Sequence, residues 1–327
     1  MSLPLNNYWE QINQHLSEYD FGQSPPELYD PIRYILSLGG KRLRPMLVLL
    51  AYRLFRDDEP GDEVLVPAMA VEVFHNFTLM HDDIMDQAPL RRGKPTVHTQ
   101  WNPNVAILSG DVMLVRTYDM LLKVSAESLP AVLRAFNQCA AEVCEGQQWD
   151  MNYESVERVS EEDYLAMIRQ KTAVLLGFSL QLGAILAGAS ERDRRQLYEF
   201  GEKIGVGFQL MDDWLDVYAD QGKFGKQVGG DIIANKKTFL LIKALEQATG
   251  AEADTLLYWL EQTGFESEQK VRAVKDVYQT LNISEQTRDK MNSYFNQGFQ
   301  ALDALSVSED RKLALRNFTE QLMKREK

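Results

Sequence analysis

Two short acidic motifs hold the residues of this sequence that are best suited to chemistry. Each places aspartates at positions i, i+1 and i+4, and these are Asp82, Asp83 and Asp86 in the first motif and Asp212, Asp213 and Asp216 in the second. On a helix, the first and third aspartates lie one turn apart on the same face. Because like charges on one face repel, a compensating cation is expected. Magnesium is usually held by one or two carboxylates together with substrate phosphates.

A solvated helix face is the alternative interpretation of an acidic cluster, and it is the usual explanation of a single one. Chance predicts about 0.1 triples of this spacing for the aspartate content of the chain. Two are present, and both follow largely apolar sequence, at residues 71–80 and 205–210. We therefore interpret all six aspartates as candidate magnesium ligands.

Basic residues accompany glycines in two segments. GGKRLRP (residues 39–45) places three cations after a glycine pair, and RRGKPTVH (residues 91–98) closely follows the first acidic motif. Exposed backbone N–H groups and guanidinium groups both bind phosphate oxygens. Alone, the first segment is explained equally well as a basic surface patch. Arginines beside magnesium ligands, in contrast, commonly hold and neutralise a diphosphate.

Three lysines also have a context that suggests a site. Lys171 interrupts an apolar helical run that continues through residues 174–178, so we expect it to point into a polar pocket. A side chain that reaches back to solvent is the alternative. Lys226 and Lys236 lie in a segment rich in glycine and lysine, residues 220–237, which is typical of a functional loop.

The net charge limits the class of partner. The 327 residues carry a formal charge of -13, and the pI is about 4.9. An acidic surface repels the phosphate backbone of nucleic acids, so no nucleic-acid partner is expected. A diphosphate substrate would meet the same repulsion unless cations are concentrated locally or metal ions bridge carboxylates to phosphates.

Helical periodicity runs through the whole sequence. Apolar residues recur three and four positions apart and strand patterns are scarce, which predicts an all-α protein. A hydrophobic content of 45% and the lack of a flexible linker predict a single domain over residues 1–327. No apolar run of about 18 residues and no signal peptide are found, so we expect no membrane insertion and a cytoplasmic location. Cys139 and Cys144 are expected to be reduced core residues.

The motifs GGKRLRP, HDDIMD, RRGKPTVH, KT, FQLMDDWLD and GKQVGGDIIANKKT resemble, in order and separation, those of the trans-isoprenyl diphosphate synthases, also called polyprenyl synthetases. The resemblance covers about residues 35–240. It implies one large helical bundle of the isoprenoid synthase type around a deep central cavity, with both aspartate motifs at its mouth, and a homodimer. It also implies a prenyltransferase that joins isopentenyl diphosphate head to tail, in the trans configuration, to an allylic diphosphate of C5 to C15.

The resemblance implies roles for individual residues. In the family, the positions of Asp82 and Asp86 usually hold two magnesium ions and that of Asp212 a third, so three Mg²⁺ per active site are expected. The cations expected at the allylic diphosphate are Arg91, Lys171, Lys226 and Lys236. The expected isopentenyl diphosphate site comprises Gly40, Lys41, Arg44, His75, Arg92 and Phe208. The expected catalytic residues are Lys171, Thr172, Gln209 and Arg91, and a further polar pair is Gln147 and Asp150.

Product length is predicted from the residues before the first motif. Phe77 lies five residues before Asp82, which is about 7.5 Å along a helix axis. By the resemblance, this position is the floor of the cavity, and the small Thr78 leaves room beside it. The motif also lacks an insertion that many bacterial farnesyl-forming relatives carry between its second and third aspartates. We therefore predict a C20 main product, geranylgeranyl diphosphate, with C15 farnesyl diphosphate second; a plain packing role for Phe77 is the alternative.

Two other functions are compatible with an aspartate motif. A class I terpene cyclase ionises an allylic diphosphate but needs no second diphosphate site, so the GGKRLRP segment and Arg92 favour a transferase. A noncatalytic subunit of a heteromeric prenyl synthase typically lacks one or both aspartate triples, and both are intact here.

Overall fold

The structure is a computed structural model that describes residues 5–219 and 229–324. Its helices are α1 Leu5–Glu18, α2 Pro26–Ser37, α3 Leu43–Phe55, α4 Asp62–Met85, α5 Val97–Gln100, α6 Pro103–Leu121, α7 Leu129–Ser155, α8 Glu161–Ile168, α9 Val174–Leu186, α10 Glu191–Tyr218, α11 Gly230–Ile233, α12 Phe239–Gln247, α13 Ala251–Glu261, α14 Ser267–Thr280, α15 Ile283–Asp303 and α16 Glu309–Met323. A π-helical turn, Arg169–Ala173, joins α8 to α9. Within the described ranges, the strands are β1 Leu90–Arg91 and β2 Lys94–Pro95, which form one short antiparallel hairpin. The prediction of an all-α protein is confirmed.

Several helices begin where the sequence supplies a cap. The Asn102 side chain accepts a hydrogen bond from the Val105 N–H at 2.9 Å, and Pro103 follows it at the first position of α6. Ser160 accepts the Asp163 N–H in the same way at the start of α8. Such caps satisfy backbone donors that have no partner within the helix, and they fix where the helix begins.

One compact unit comprises the described parts of Met1–Gln138, Phe178–Tyr198 and Leu305–Leu315. Its central helix is α4, which packs against α6 and α3. By length and composition, α4 is apolar enough to span a membrane, but 67% of its most apolar window is buried inside the protein, as in the core helix of a soluble protein. Phe74 of α4 packs edge to face on Phe136, with ring centroids 5.1 Å apart. This burial holds α4 rigidly, and its C-terminal end carries the first aspartate motif.

A second compact unit comprises the described parts of Cys139–Gly177, Glu199–Ala304 and Arg316–Lys327. In this unit, α14 packs against α11, α13 and α15. The core there includes Leu240, Val274 and Ile283, all of which are buried. This core supports the short helix α11, whose first turn contacts the end of the second aspartate motif.

Two sequence predictions have different outcomes. Cys139 is buried as predicted, but Cys144 is exposed, so the prediction of a core position is wrong for Cys144. The reason is geometric, because five positions on a helix separate two side chains by roughly 140° around its axis. The prediction of a single domain over the whole chain stays a prediction.

Candidate active site

The first aspartate motif lies at the C-terminal end of α4, with Asp86 as its C-cap. The Asp83 side chain is 3% exposed, and its two oxygens accept hydrogen bonds from Arg91, at 2.8 Å from Nε and 2.7 Å from Nη2. The Asp82 side chain is 20% exposed and lies 3.8 Å from Arg91 Nη2. Asp86 is exposed. Both Asp83 oxygens are therefore engaged by Arg91, whereas Asp82 is half-buried and Asp86 is exposed, one helical turn apart.

Arg91 reaches Asp83 because the chain folds back in the β1–β2 hairpin. The turn residues Arg92 and Gly93 have positive φ values of 53° and 74°, which is the geometry of a two-residue type I′ turn. The guanidinium of Arg92 donates a hydrogen bond to the carbonyl oxygen of Gly39, in the loop before α3. Two arginines adjacent in sequence are thus divided between the aspartate motif and the glycine loop.

The backbone of the glycine loop has a conformation that favours glycine. Gly39 and Gly40 have φ values of 76° and 141°, and a Cβ at Gly40 would lie 3.0 Å from Arg92 Nη1. Lys41 follows the loop and is exposed, and Arg44 is half-buried in the first turn of α3. The loop and both cations therefore lie on one short segment.

Arg42 belongs to the same segment but has a different role, which sequence reasoning missed. Its side chain is 4% exposed and donates hydrogen bonds to Glu72 Oε1 at 2.8 Å and to the Leu36 carbonyl oxygen at 2.7 Å. This buried ion pair ties the start of α3 to α4 and so orients the neighbouring Lys41 and Arg44. The available signal was Glu72, an acidic residue within the apolar sequence of α4, because a buried charge requires a partner.

The surroundings of His75 are cationic. Burial lowers the pKa of His75 well below its usual range, and the nearby charges of Arg44, Arg92, Arg91 and Arg42 lower it further. The imidazole is therefore neutral near pH 7, and its arginine neighbours keep their charge. A neutral hydrogen-bonding group among guanidinium groups is suited to a diphosphate.

Phe77 and Thr78 lie on α4, one turn before the first motif. Phe77 is 8% exposed, and its ring packs on Phe74 with centroids 5.6 Å apart and on His81 with centroids 4.8 Å apart. Thr78 is half-buried, and its hydroxyl donates a hydrogen bond to the His75 carbonyl oxygen at 2.8 Å. The aromatic wall at this level of α4 is therefore formed by packed rings, and Thr78 adds little volume to it.

The second aspartate motif, in the second unit, repeats the arrangement of the first. Asp212 is exposed, whereas Asp213 is 2% exposed and accepts hydrogen bonds from the Tyr164 hydroxyl and from Gln209 Nε2, the latter at 3.2 Å. Burial raises the pKa of Asp213 to about 7, although these hydrogen bonds and the charge of Lys236 oppose the shift. As in the first motif, the middle aspartate is held by the protein and the first remains accessible.

Asp216, the third aspartate, binds the backbone of the glycine-rich segment, in which sequence reasoning missed Asp231. Its Oδ2 accepts the N–H of Asp231 at 2.9 Å, and its carbonyl oxygen accepts the N–H of Gly229 at 2.7 Å. Burial raises the pKa of Asp231, while Lys236 lowers it and Asp216 raises it. Asp231 is thus a further carboxylate beside the second motif. Its signal was the sequence GGD in the glycine-rich segment.

The π-turn carries two of the predicted catalytic residues. Lys171 Nζ donates a hydrogen bond to Asp150 Oδ2 at 2.6 Å, and the Thr172 hydroxyl donates to Gln209 Oε1 at 3.3 Å. Because Gln209 also donates to Asp213, Thr172 is connected to the second aspartate motif by one side chain. Tyr164, which donates a hydrogen bond to Asp213, was missed by sequence reasoning.

The predicted site residues divide between the two units. The first contains Gly40, Lys41, Arg44, His75, Phe77, Thr78, Asp82, Asp83, Asp86, Arg91 and Arg92, and the second contains Lys171, Thr172, Phe208, Gln209, Asp212, Asp213, Asp216 and Lys236. Phe208 is half-buried and packs edge to face on Phe295, with centroids 5.5 Å apart. Lys226 lies outside the described residues.

The donor set fits magnesium. Asp82, Asp86 and Asp212 carry carboxylates, which are hard oxygen ligands, and Asp86 and Asp212 are exposed. In residues 5–219 and 229–324, no three acidic, histidine or cysteine side chains converge as a ready metal cluster. Magnesium retains water and is commonly completed by substrate phosphates, so one or two carboxylates per ion suffice.

Comparison with known proteins supplies the family. A family profile described as polyprenyl synthetase matches residues 25–280. The chain is 39% identical to the short chain isoprenyl diphosphate synthase of Methanocaldococcus jannaschii, over 82% of this chain and 81% of the relative. It is 37% identical to the geranylgeranyl diphosphate synthase of Methanosarcina mazei, over 89% and 88% of the two chains. The crystal structure of a geranylgeranyl pyrophosphate synthase matches with a TM-score of 0.93 at 40% identity and covers 98% of both chains.

The helical fold and the two aspartate motifs are those of a class of magnesium-dependent enzymes that act on isoprenoid diphosphates. The chain belongs to the polyprenyl synthetase family and is a trans-prenyltransferase. The resemblance inferred from its motifs is thereby confirmed. A terpene cyclase and a noncatalytic subunit are not supported by these matches.

Proposed function

We propose that this prenyltransferase condenses isopentenyl diphosphate head to tail with an allylic diphosphate of C5 to C15 and that its main product is C20 geranylgeranyl diphosphate, with C15 farnesyl diphosphate second. The observation that carries the proposal is the cluster of arginines around the neutral His75 in the first unit. A diphosphate bound there would be additional to the one held by the aspartate motifs. A reaction between two diphosphates needs such a cluster, whereas a cyclisation does not.

Residues of the chain have distinct tasks in the proposed reaction. The bond between the allylic carbon and its diphosphate breaks, and Arg91 and Lys171 stabilise the charge that develops on the leaving group. Bound Mg²⁺ supplies further Lewis-acid stabilisation of the same charge. The oxygens of Thr172 and Gln209 offer dipoles to the cationic carbon, and apolar walls exclude water from it. The double bond of isopentenyl diphosphate then attacks, and the released diphosphate accepts the proton.

The proposed magnesium ligands follow from accessibility. Asp82 and Asp86 would hold two ions and Asp212 a third, so that three ions serve each active site. Asp83 and Asp213 would instead orient Arg91 and Gln209, because both are buried and hydrogen-bonded to these residues.

An exposed apolar stripe supports a homodimer. Leu108, Val115 and Leu122 are 58%, 58% and 56% exposed and recur every seven residues, so they share one face along α6. Burial of this face against a second copy would remove apolar surface from water. The mass in solution, measured by light scattering, tests the dimer, and Val115→Glu should weaken it. The family and the core position of α4 support a cytoplasmic enzyme without membrane insertion.

The function is tested by product mass. The purified protein is incubated with Mg²⁺, isopentenyl diphosphate and, separately, the C5, C10 and C15 allylic diphosphates. We expect C20 diphosphate as the main product from each starter. Absence of any product longer than the starter would refute the proposed condensation.

Product length is tested at Phe77. Phe77→Ala removes the ring that packs on Phe74 and His81, and it should cost about 3 kcal/mol of stability and lengthen the product beyond C20. Phe200→Ala is the matched control. Phe200 is 1% exposed and packs on Phe299, and both residues belong to the second unit, whereas Phe77 belongs to the first. This control should lose similar stability without a change of product. An unchanged product from a folded Phe77→Ala variant would mean that the floor lies elsewhere.

A further inference from the structure

The π-turn that carries Lys171 and Thr172 is tied to α7 by its first three residues. Three consecutive residues each bond to a different residue of α7: Arg169 to Glu142 at 2.9 Å, Gln170 to Glu145 at 2.9 Å and Lys171 to Asp150 at 2.6 Å. Glu142 and Asp150 lie eight positions apart on the same face of α7, and Glu145 lies on the adjoining face. The turn and this face of α7 therefore form one extended contact.

Gly146 makes this contact possible. It is buried on the same face of α7, and a Cβ built there would lie only 2.2 Å from the Lys171 backbone nitrogen and 2.7 Å from the Lys171 Cα. Ordinary van der Waals contact begins at 3.4 Å, so any side chain at this position must separate the two backbones by about 1.2 Å. Backbone atoms within helical structure cannot move aside as a flexible side chain does.

A second glycine makes the equivalent approach from α10. A Cβ at Gly205 would lie 2.6 Å from the Cα of Ala173, the last residue of the π-turn. Arg169, the first residue of the turn, also bonds to Glu202 of α10 at 3.0 Å. The turn is thus held on two sides by backbone contacts that only glycine permits.

The π geometry explains why the position of the turn matters. Its closing hydrogen bond runs from the Val174 N–H to the Arg169 carbonyl oxygen, five residues back rather than four. The extra residue shifts the helical register, so that Lys171 bonds to α7 and the next residue, Thr172, bonds to Gln209 of α10. A regular α-helix would rotate these two side chains away from this pair of partners.

We propose that Gly146 and Gly205 are positioning residues that set the π-turn, and with it Lys171 and Thr172, at the reacting end of the allylic substrate. The inference rests on the proposed prenyl transfer, in which these two side chains act on the leaving group and the cationic carbon. Both glycines pack against the backbone of the turn. Their effect is transmitted through the backbone of the turn.

The test compares three glycine-to-alanine variants of the same unit. Gly146→Ala and Gly205→Ala displace the turn, whereas Gly298→Ala adds a methyl to another buried helical glycine, where it meets mainly the flexible tip of Ile204 at 2.9 Å. A misplacement of about 1 Å at a catalytic group lowers a rate roughly 100-fold. We therefore expect kcat to fall about 100-fold in the two test variants, with the KM for isopentenyl diphosphate changed by less than about 2-fold. Gly298→Ala should keep both constants near those of the wild type.

Hydrogen exchange gives a readout that does not depend on activity. Amides of residues 164–177 should exchange faster in Gly146→Ala than in the wild type, and no such change is expected in Gly298→Ala. Unchanged kcat in a folded Gly146→Ala variant, or unchanged exchange in this segment, would overturn the positioning role. If the wild type itself catalyses no prenyl transfer, the proposed function is refuted. The exchange measurement does not require turnover, so it tests the positioning of the turn separately.

A milder variant decides the question if both glycine variants fail to fold. Arg169→Gln adds no volume and removes the ion pairs to Glu142 and Glu202. Loss of these charged hydrogen bonds should loosen the turn and misplace Lys171 and Thr172. We therefore expect kcat to fall about tenfold, again with little change in the KM for isopentenyl diphosphate. A kcat equal to that of the wild type would overturn the proposal.

Discussion

Asp83 and Asp82 are adjacent in sequence, and we predict that their substitution has opposite consequences. Asp83→Asn should mainly destabilise the protein, whereas Asp82→Asn should mainly abolish activity. Asp83 is 3% exposed and receives two hydrogen bonds from Arg91, so its loss leaves a guanidinium without its partner. Asp82 lies 3.8 Å from Arg91 Nη2 and is accessible to a metal ion.

The magnitudes follow from the geometry. Breaking a fully buried ion pair costs about 3 to 5 kcal/mol. The Arg91 side chain is 23% exposed, so water can solvate part of the guanidinium after its partner is lost. We therefore expect Asp83→Asn to lower the free energy of unfolding by about 2 to 3 kcal/mol. Asp82→Asn removes the 3.8 Å ion pair with Arg91, which is destabilising, and also removes a negative charge from the C-terminal end of α4, which is stabilising. The two effects oppose each other, so stability should change by less than about 0.5 kcal/mol.

Urea unfolding followed by circular dichroism measures stability, and kcat at saturating magnesium measures function. Asp82→Asn should lose several orders of magnitude in kcat, while Asp83→Asn should lose about tenfold because Arg91 is less well oriented. The reasoning is refuted if Asp83→Asn is as stable as the wild type and loses as much activity as Asp82→Asn. Such a result would make Asp83 a metal ligand.

Three further predictions concern the metal, the second substrate and acid stability. Chelation of Mg²⁺ should abolish turnover, and Asp212→Ala should lower kcat by orders of magnitude while circular dichroism remains unchanged; normal rates would exclude Asp212 as a ligand. Arg44→Ala should chiefly raise the KM for isopentenyl diphosphate, and a change confined to the allylic KM would contradict its assignment. Burial raises the pKa of Asp193, but hydrogen bonds from Ser306 and Ser190 outweigh it and hold the pKa below its usual 3.8. Its stabilisation is therefore present above this pH and lost below it, so the stability difference between the wild type and Asp193→Asn in urea should shrink from pH 7 to pH 3.

The sequence predicts local features of this protein well and long-range pairings poorly. Apolar periodicity indicates the helices because burial of one face repeats every three to four residues. The π-turn was not predicted, since the period of a helix does not reveal an inserted residue. The Tyr164–Asp213 bond joins residues 49 positions apart, and no pattern within either segment indicates it. Arg42 shows that residue type alone does not predict burial. Arg42 is buried in an ion pair with Glu72, whereas Lys41 is exposed and Arg44 is half-buried.

The acidic net charge of -13 is compatible with an anionic substrate because electrostatic repulsion is short-ranged in salt. Its range is the Debye length, about 8 Å at physiological ionic strength, so distant acidic residues contribute little at the arginine cluster. Within that range, burial lowers the pKa of His75, and the charges of Arg44 and Arg92 lower it further. A bound diphosphate would offset the arginine charges and raise the pKa of His75 toward its usual value. Burial, the larger cause of the low pKa, remains when substrate binds, so His75 stays neutral at pH 7 and the arginines carry the positive charge.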